Sequence, residues 1–247
     1  DVMPYLTYLR VNFSAGEKKR YAEIMGVKES SYDRVCQNIK DMVEIKKQNN
    51  LKVTIGMQMV LMPEDADQII PLAKLGKELR PDYAIIKHCS DNEDGGLGIL
   101  YDEYEKLYPL LKEAEGYSDE TYKCVIKWSK IKDKGNNKRT YQRCYGAPFM
   151  IQLSGSGLVA PCGGLFNEKY KKFHIGNICD TRFKDIWNSD KYWEVMNYLS
   201  SPKFNAQKMC ASLCLQHKVN ESLDNYVKGK GDLNQPDTES PEHINFI

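Results

Sequence analysis

The stretch "LKVTIGMQMVLMPEDADQIIPLAKLGKELRPDYAIIKHCS", residues 51–90, decides the fold of the first half of the chain. Residues 51–63 are an apolar run that ends at Pro63, which is typical of a buried strand. Residues 64–79 have acidic side chains in their first turn, where the helix dipole favours them, and residues 82–90 again have the pattern of a strand. The order strand, helix, strand predicts parallel strands joined by a helical crossover.

The same pattern extends in both directions from this stretch. Residues 5–16 predict a strand that ends at Gly16, residues 31–49 predict a helix from their apolar spacing, and residues 101–114 predict another helix. Three such units are too few to close a barrel. We therefore predict an α/β fold for residues 1–120, a partial (β/α) barrel, and we expect that an N-terminal portion of the barrel is missing from this sequence.

Polar side chains stand where the predicted strands end. In parallel α/β sheets the chemistry lies beyond the carboxyl ends of the strands. Asn12 and Ser14 share a face because side chains alternate along a strand, and with Gln58 we expect them to line one cavity. Lys87 and His88 end the third strand and are candidates for binding a substrate, although a solvated strand end would carry the same residues.

Composition excludes several classes of partner. Thirty-five Lys and Arg against 34 Asp and Glu leave a formal charge of +1, which predicts neither nucleic-acid binding nor attraction to an acidic membrane. No apolar run approaches the roughly 18 residues of a membrane helix. The first residues, "DVMPYLTYLRVNF", do not form a signal peptide, so we expect a cytoplasmic location. In that compartment eight cysteines indicate metal or redox chemistry rather than disulfides.

The second half of the chain has a different character. Residues 121–143 are polar and lysine-rich and predict a linker, residues 144–227 predict a small α+β module, and residues 228–247 predict an extended tail. Within the module, residues 144–164, "CYGAPFMIQLSGSGLVAPCGG", predict a β-hairpin with a glycine-rich turn. The hairpin would bring its two flanking cysteines together.

Four cysteines of the module are the candidate metal ligands: Cys144, Cys162, Cys210 and Cys214. The last two are four positions apart, which on a helical turn would place both side chains on one face. Four thiolates suit a [4Fe–4S] cluster and equally suit zinc, and a disulfide across the hairpin is a third alternative. Cys179 is the rival for the fourth ligand position.

Three patterns in this module carry a resemblance. Cys144 is followed by twelve residues, Gly157, four residues and Cys162; "PCGG" is followed by "HIGNI" and "FKDIWNSDKY"; and a cysteine pair stands near the end. Residues 144–217 thereby resemble the auxiliary iron–sulfur module of radical S-adenosylmethionine enzymes, the SPASM/Twitch group. "LRVNFSAG" and "IGMQMVLMPED" are similar to the fourth and fifth strands of the partial (β/α)6 barrel of that family.

The resemblance implies cofactors and their sites. Asn12 and Ser14 match strand-four residues that bond the ribose of S-adenosylmethionine. Family members hold a catalytic cluster with a Cys-x-x-x-Cys-x-x-Cys motif, which this sequence does not contain, so S-adenosylmethionine and a second [4Fe–4S] cluster are implied only with an additional N-terminal segment. The central cysteine run of the larger modules is also missing, so the one-cluster Twitch form matches better.

The resemblance predicts an oxidoreductase that modifies its substrate through a 5′-deoxyadenosyl radical, with an auxiliary [4Fe–4S] cluster for electron transfer or substrate binding. Its expected partners are a small-molecule or peptide substrate and a reductant such as flavodoxin or ferredoxin. Two alternatives stay open: a non-catalytic iron–sulfur module that recognises a partner, and a zinc-stabilised interaction domain.

Overall fold

The computed structural model describes residues 2–91, 96–132, 139–210 and 214–233. These residues form two compact units. The first comprises residues 2–89 and 99–132, and the second comprises the remaining described residues. Among the helices of the described ranges, none is long and apolar enough to cross a membrane.

The first unit is built on a four-stranded parallel sheet in the order β1-β2-β3-β4. The order confirms the predicted parallel α/β architecture. Asn12 on β1 is the partner of Gln58 on β2, and Ala84 on β3 is the partner of Cys124 on β4. The strands are β1 (Tyr8–Asn12), β2 (Thr54–Leu61), β3 (Tyr83–His88) and β4 (Lys123–Ile126).

Helices connect these strands and cover one face of the sheet. That face is apolar and buried, because Ile55, Met57, Met59 and Ile86 are all inaccessible to solvent and belong to one core with the helices. Burial of this continuous apolar surface is the main force that holds the unit together. The helices are α1 (Lys18–Met25), α2 (Glu29–Gln48), α3 (Ile69–Leu79), α4 (Tyr108–Glu115) and α5 (Trp128–Ile131).

Two of these helices begin close to a proline. Pro71 is the third residue of α3 and Pro109 is the second residue of α4, where a missing backbone N–H breaks no intrahelical bond. A 3-10 helix precedes each of them, at Pro63–Gln68 and Tyr101–Leu107. The prolines therefore mark where the α-helices start and do not kink them.

The other face of the sheet, which we call the polar face, carries the alternate residues of the same strands. Arg10, Asn12, Gln58 and Lys87 lie on it, since side chains on a strand alternate between faces and the register aligns the strands. Gly56 lies there too, and a Cβ at this position would stand 2.1 Å from the ring of Tyr83. Glycine is therefore required for the Tyr83 ring to lie across β2.

The second unit contains a small antiparallel sheet and four helices around a core of its own. The sheet has the order β5-β6-β7, and its core includes Val159, Phe173, Tyr192 and Phe204. The elements are β5 (Gln152–Leu153), β6 (Leu158–Ala160), β7 (Gly176–Asn177), α6 (Phe183–Trp187), α7 (Asp190–Leu199), α8 (Ala206–Met209) and α9 (His217–Val227).

The segment predicted as a linker, residues 121–143, differs from that prediction at its start. Lys123–Ile126 forms β4 and completes the parallel sheet. The strand is only four residues long and two of them face solvent, so its sequence alone carries little strand signal. Residues 133–138 of the segment and residues 234–247 of the predicted tail lie outside the described residues.

Candidate iron–sulfur centre and strand-end site

The β5–β6 hairpin turns through a glycine, as the sequence predicts. Gly157 has a φ of 81°, in the left-handed region that favours glycine. The amide of Asn177 donates to the carbonyl of Ser156 at 3.1 Å and fixes the turn to the next strand. The hairpin returns the chain, so that residues on either side of it can meet at the end opposite the turn.

The structure brings the four candidate thiols together. A charge on Cys144 or on Cys214 raises the pKa of Cys162, and charges on Cys144, Cys162 and Cys214 all raise the pKa of Cys210. Such mutual effects require that the sulfurs lie within electrostatic range of one another. The four residues come from three separate stretches of the chain, so the fold of the second unit is what assembles them.

Burial makes the thiols of Cys144, Cys162 and Cys210 poor acids. Desolvation is the largest cause that raises the pKa of Cys162 to about 11 and that of Cys210 to about 12, and it also raises the pKa of Cys144. A metal or cluster binds thiolate, so it must displace these protons on binding. Within the described ranges, no three Cys, His, Asp or Glu side chains are already spaced to hold one metal ion.

A buried arginine stands beside the thiols. Arg139 is 6 % exposed, and its guanidinium donates to the carbonyl of Ala206 at 2.9 Å. Its positive charge lowers the pKa of Cys162 and Cys210, which partly offsets their burial. The sequence placed Arg139 in a linker, and no local pattern around it indicates this role.

Cys210 does not lie on a helical turn, contrary to the sequence prediction. Helix α8 ends at Met209, and Cys210 has an extended backbone with a φ of −102° and a ψ of 147°. Residues 211–213 lie outside the described residues. The four-residue spacing to Cys214 suggested a helix, but Cys210 is the capping residue at which the helix stops.

Cys179 occupies a different environment. It is exposed, and its Sγ donates to the carbonyl of Ser156 at 3.8 Å, beside the hairpin turn. A Cβ on Gly157 would stand 2.8 Å from this sulfur. Cys162 follows the far end of β6, about 13 Å along a strand from the turn at the usual rise per residue. Whether Cys179 or one of the other four cysteines completes the ligand set stays a prediction.

At the sheet edge, two of the three predicted cofactor residues are in contact. The amide nitrogen of Gln58 donates to the side-chain oxygen of Asn12 at 2.7 Å, between paired positions of β1 and β2. Gln58 is 6 % exposed and Asn12 is exposed. The two side chains therefore form one polar group on the polar face, near the carboxyl ends of their strands.

Ser14 lies two residues beyond β1 and is 8 % exposed. The loop that follows it is held by Gln68, which is fully buried. The side-chain oxygen of Gln68 accepts from the backbone N–H of Gly16 and of Glu17, both at 3.1 Å. Sequence reasoning missed Gln68, which fixes the position of this loop. The prediction that Asn12, Ser14 and Gln58 line one cavity stays a prediction.

Lys87 and His88 lie on opposite faces of β3. His88 is 1 % exposed and is on the helix-covered face, 5.4 Å from the ring of Tyr101 and 5.6 Å from that of Tyr104. Its Nδ1 is 2.7 Å from the carbonyl oxygen of Cys89. Lys87 is half-buried on the polar face, and burial lowers its pKa, as does the nearby charge of Arg10. The two residues therefore cannot contact one ligand from the same side.

Comparison with known proteins identifies the class of the second unit. Residues 144–215 match the SPASM family, an iron–sulfur cluster-binding domain. This match confirms the resemblance that the cysteine pattern indicates. No curated protein sequence matches the chain.

Solved structures share the fold. Streptococcus suis SuiB bound to S-adenosylmethionine superposes with a TM-score of 0.52 at 15% identity, over 84% of this chain and 49% of that chain. SuiB alone gives a TM-score of 0.50 at 16% identity, over 84% of this chain and 50% of that chain. SuiB bound to the precursor peptide SuiA gives a TM-score of 0.50 at 15% identity, over 84% of this chain and 49% of that chain. The chain spans about half the length of these structures. The chain shares the fold of the matched half of SuiB, in agreement with the predicted α/β architecture.

Proposed function

We propose that this chain is part of a radical S-adenosylmethionine enzyme and that Cys144, Cys162, Cys210 and Cys214 hold its auxiliary [4Fe–4S] cluster. The observation that carries the proposal is that four partly buried thiols lie within electrostatic range of one another in a segment that matches an iron–sulfur domain. Four terminal thiolates saturate the four irons of a cubane cluster, which favours electron transfer or structural support over direct coordination of a substrate.

The polar face of the sheet is the proposed site for S-adenosylmethionine. Asn12, Ser14 and Gln58 are its proposed contacts, and the bonded pair Asn12 and Gln58 offers both amide donors and carbonyl oxygens to a ribose. S-adenosylmethionine held by these residues would supply, on one-electron reduction with release of methionine, a 5′-deoxyadenosyl radical able to take a hydrogen atom from the substrate. The catalytic cluster would be held by an additional Cys-x-x-x-Cys-x-x-Cys segment.

The proposed substrate class is a peptide. SuiB, whose fold this chain shares, has been crystallised with a precursor peptide. Lys87 is the proposed substrate contact on the polar face, because its half-buried cation suits a carboxylate or a carbonyl oxygen. The proposed reductant is a flavodoxin or ferredoxin.

The cluster assignment is tested by anaerobic reconstitution of the chain with iron and sulfide. We expect about four irons and four sulfides per chain, a broad absorbance near 400 nm that dithionite bleaches, and an electron paramagnetic resonance signal in the reduced state. A chain that instead retains one zinc ion and no sulfide would support the zinc-stabilised interaction domain.

Catalysis is tested with the complete product of the gene. Under dithionite or reduced flavodoxin we expect it to convert S-adenosylmethionine to 5′-deoxyadenosine and methionine, measured by chromatography. A product that holds its clusters and yields no 5′-deoxyadenosine would support the non-catalytic recognition module.

A further inference from the structure

Helix α9 begins after the segment that matches the SPASM family, yet its residues Asn220 and Asp224 are buried in the second unit. Asn220 is wholly inaccessible to solvent. A buried amide is costly unless its donors and its acceptor are satisfied, so its hydrogen bonds show what it does for the fold.

The side-chain oxygen of Asn220 holds the chain immediately after a proposed ligand. It accepts from the backbone N–H of Tyr145 at 2.7 Å and from that of Gly146 at 2.8 Å. These two residues directly follow Cys144. One carbonyl oxygen therefore fixes the direction in which the chain leaves the cysteine.

The amide nitrogen of Asn220 contacts the ligand itself. It donates to the carbonyl of Gln216 at 3.1 Å and to the Sγ of Cys144 at 3.7 Å, a normal distance for a hydrogen bond to sulfur. The oxygen of the Asn220 amide thus bonds the two residues after Cys144, and its nitrogen bonds the sulfur of Cys144. This is an N–H···S bond from a side chain, which the sequence gives no means of foreseeing.

The close approach of the loop to α9 depends on Gly146. A Cβ at this position would stand 3.0 Å from the Cβ of Gln216 and 3.1 Å from the amide nitrogen of Asn220. Helix α9 is further attached by the contact of the Tyr141 hydroxyl with Nδ1 of His217, at 3.2 Å. Helix α9 therefore packs directly against the loop that carries Cys144.

We propose that Asn220 is a positioning residue that sets the reduction potential of the auxiliary cluster through its hydrogen bond to Cys144. The inference rests on the proposed cluster. An electron added to a thiolate-bound cluster increases the negative charge on the sulfurs, and an N–H donor stabilises that charge. Asn220 thereby makes the cluster easier to reduce.

The variant Asn220→Asp separates this role from support of the loop. An aspartate keeps an oxygen that can accept from Tyr145 and Gly146, but it cannot donate to Cys144. We expect the variant to retain its iron and to show a more negative midpoint potential, measured by redox titration of the reduced-state signal. The matched control is Asn225→Asp, which makes the same substitution at an exposed position of α9 and should leave the potential unchanged.

Wild-type protein gives an independent readout, which also covers an Asn220→Asp chain that fails to hold iron. With ¹⁵N-labelled asparagine, pulsed electron paramagnetic resonance of the reduced cluster should detect a ¹⁵N coupling from the Asn220 amide. Equal potentials in wild type and Asn220→Asp, or a cluster without ¹⁵N coupling, would overturn the inference. A wild-type chain that binds no iron and sulfide would instead overturn the proposed cluster.

Discussion

The surroundings of Cys144, Cys162 and Cys210 keep their thiols protonated, because burial disfavours the charged thiolate. Burial raises each of their pKa values, while Arg139 acts in the opposite direction on Cys162 and Cys210. Iron binding exchanges these protons for strong bonds to sulfur. Loss of any one cysteine ligand should therefore weaken binding of the whole cluster.

Replacing any one of the four cysteines with alanine should lower the iron content of the reconstituted chain, because each iron of a cubane needs its own terminal ligand. Cys179→Ala is the matched control, since it removes an exposed thiol at the hairpin turn. Iron and sulfide analysis measures the result. Iron loss in Cys179→Ala with none in Cys214→Ala would contradict the ligand assignment.

Asp119 predicts an acid-dependent part of stability. Its carboxylate accepts from Arg80 at 2.6 Å and from the N–H of Thr121 and Tyr122, both at 3.1 Å, and the Arg80 bond is the main cause that lowers its pKa to about 2. The unfolded chain binds this proton near pH 4. The contribution of the Asp119 carboxylate to the free energy of unfolding is thus fully present above pH 4 and is lost as the pH falls toward 2.

Urea unfolding of wild type and Asp119→Asn measures this contribution. We expect the variant to be less stable than wild type at pH 6 and the difference to shrink as the pH falls from about 4 toward 2. Glu120→Gln, at an exposed position of the same loop, is the control. A difference between wild type and Asp119→Asn that is constant over this pH range would contradict the prediction.

The packing of the β1 loop on α3 depends on one glycine. A Cβ on Gly16 would stand 2.1 Å from the backbone carbon of Pro71, which a helix cannot move aside. Gly16→Ala should therefore destabilise the chain by about 1–3 kcal/mol or more, as overpacking of a fixed neighbour does. Gly155→Ala is the control, because nothing lies within 4 Å of its added Cβ. Thermal unfolding of the two variants tests this; equal melting temperatures would refute it.

The long, strongly patterned elements were predictable, and the short ones were not. Strands β2 and β3 have apolar runs that indicate buried strands, and α2 has a regular apolar face. Sequence analysis assigned no element to α1, which buries only Tyr21 and so carries little periodicity. Strand β4 forms because it pairs with β3, and this long-range pairing cannot be read from the sequence of β4 itself.

The candidate sites were predictable where chemistry is local and not where it depends on distant contacts. Alternation along the strand predicted one face for Asn12 and Ser14, whereas the register that places Asn12 against Gln58 is known only from the structure. Alternation along β3 already implied that Lys87 and His88 face opposite ways. Arg139 and Asn220 reach the thiols only after the chain folds back, and neither has a sequence neighbour that signals it.

The two units should respond differently to loss of iron. The proposed cluster ties together residues from position 144 to position 214, all in the second unit. Removing such a cross-link frees a loop of this length in the unfolded ensemble, which costs on the order of 3–5 kcal/mol. We expect chelation of iron to speed amide hydrogen exchange in the second unit and to leave β1–β4 unchanged.

Hydrogen exchange followed by mass spectrometry makes this comparison peptide by peptide. The Cys179→Ala chain, loaded and then stripped of iron, should behave as the wild type does. Equal acceleration in the peptides of β2 and of β6 would show that the cluster supports the whole chain and would contradict the prediction.

The sheet has a consequence for how the chain matures during synthesis. Every strand of the first unit pairs with the strand that follows it in sequence, so each pairing closes only one helical crossover. The sheet can therefore grow strand by strand as the ribosome releases the chain. The four thiols are complete only after Cys214 has emerged. The cluster should therefore be inserted only after Cys214 has been synthesised, when the strands of the first unit have already left the ribosome.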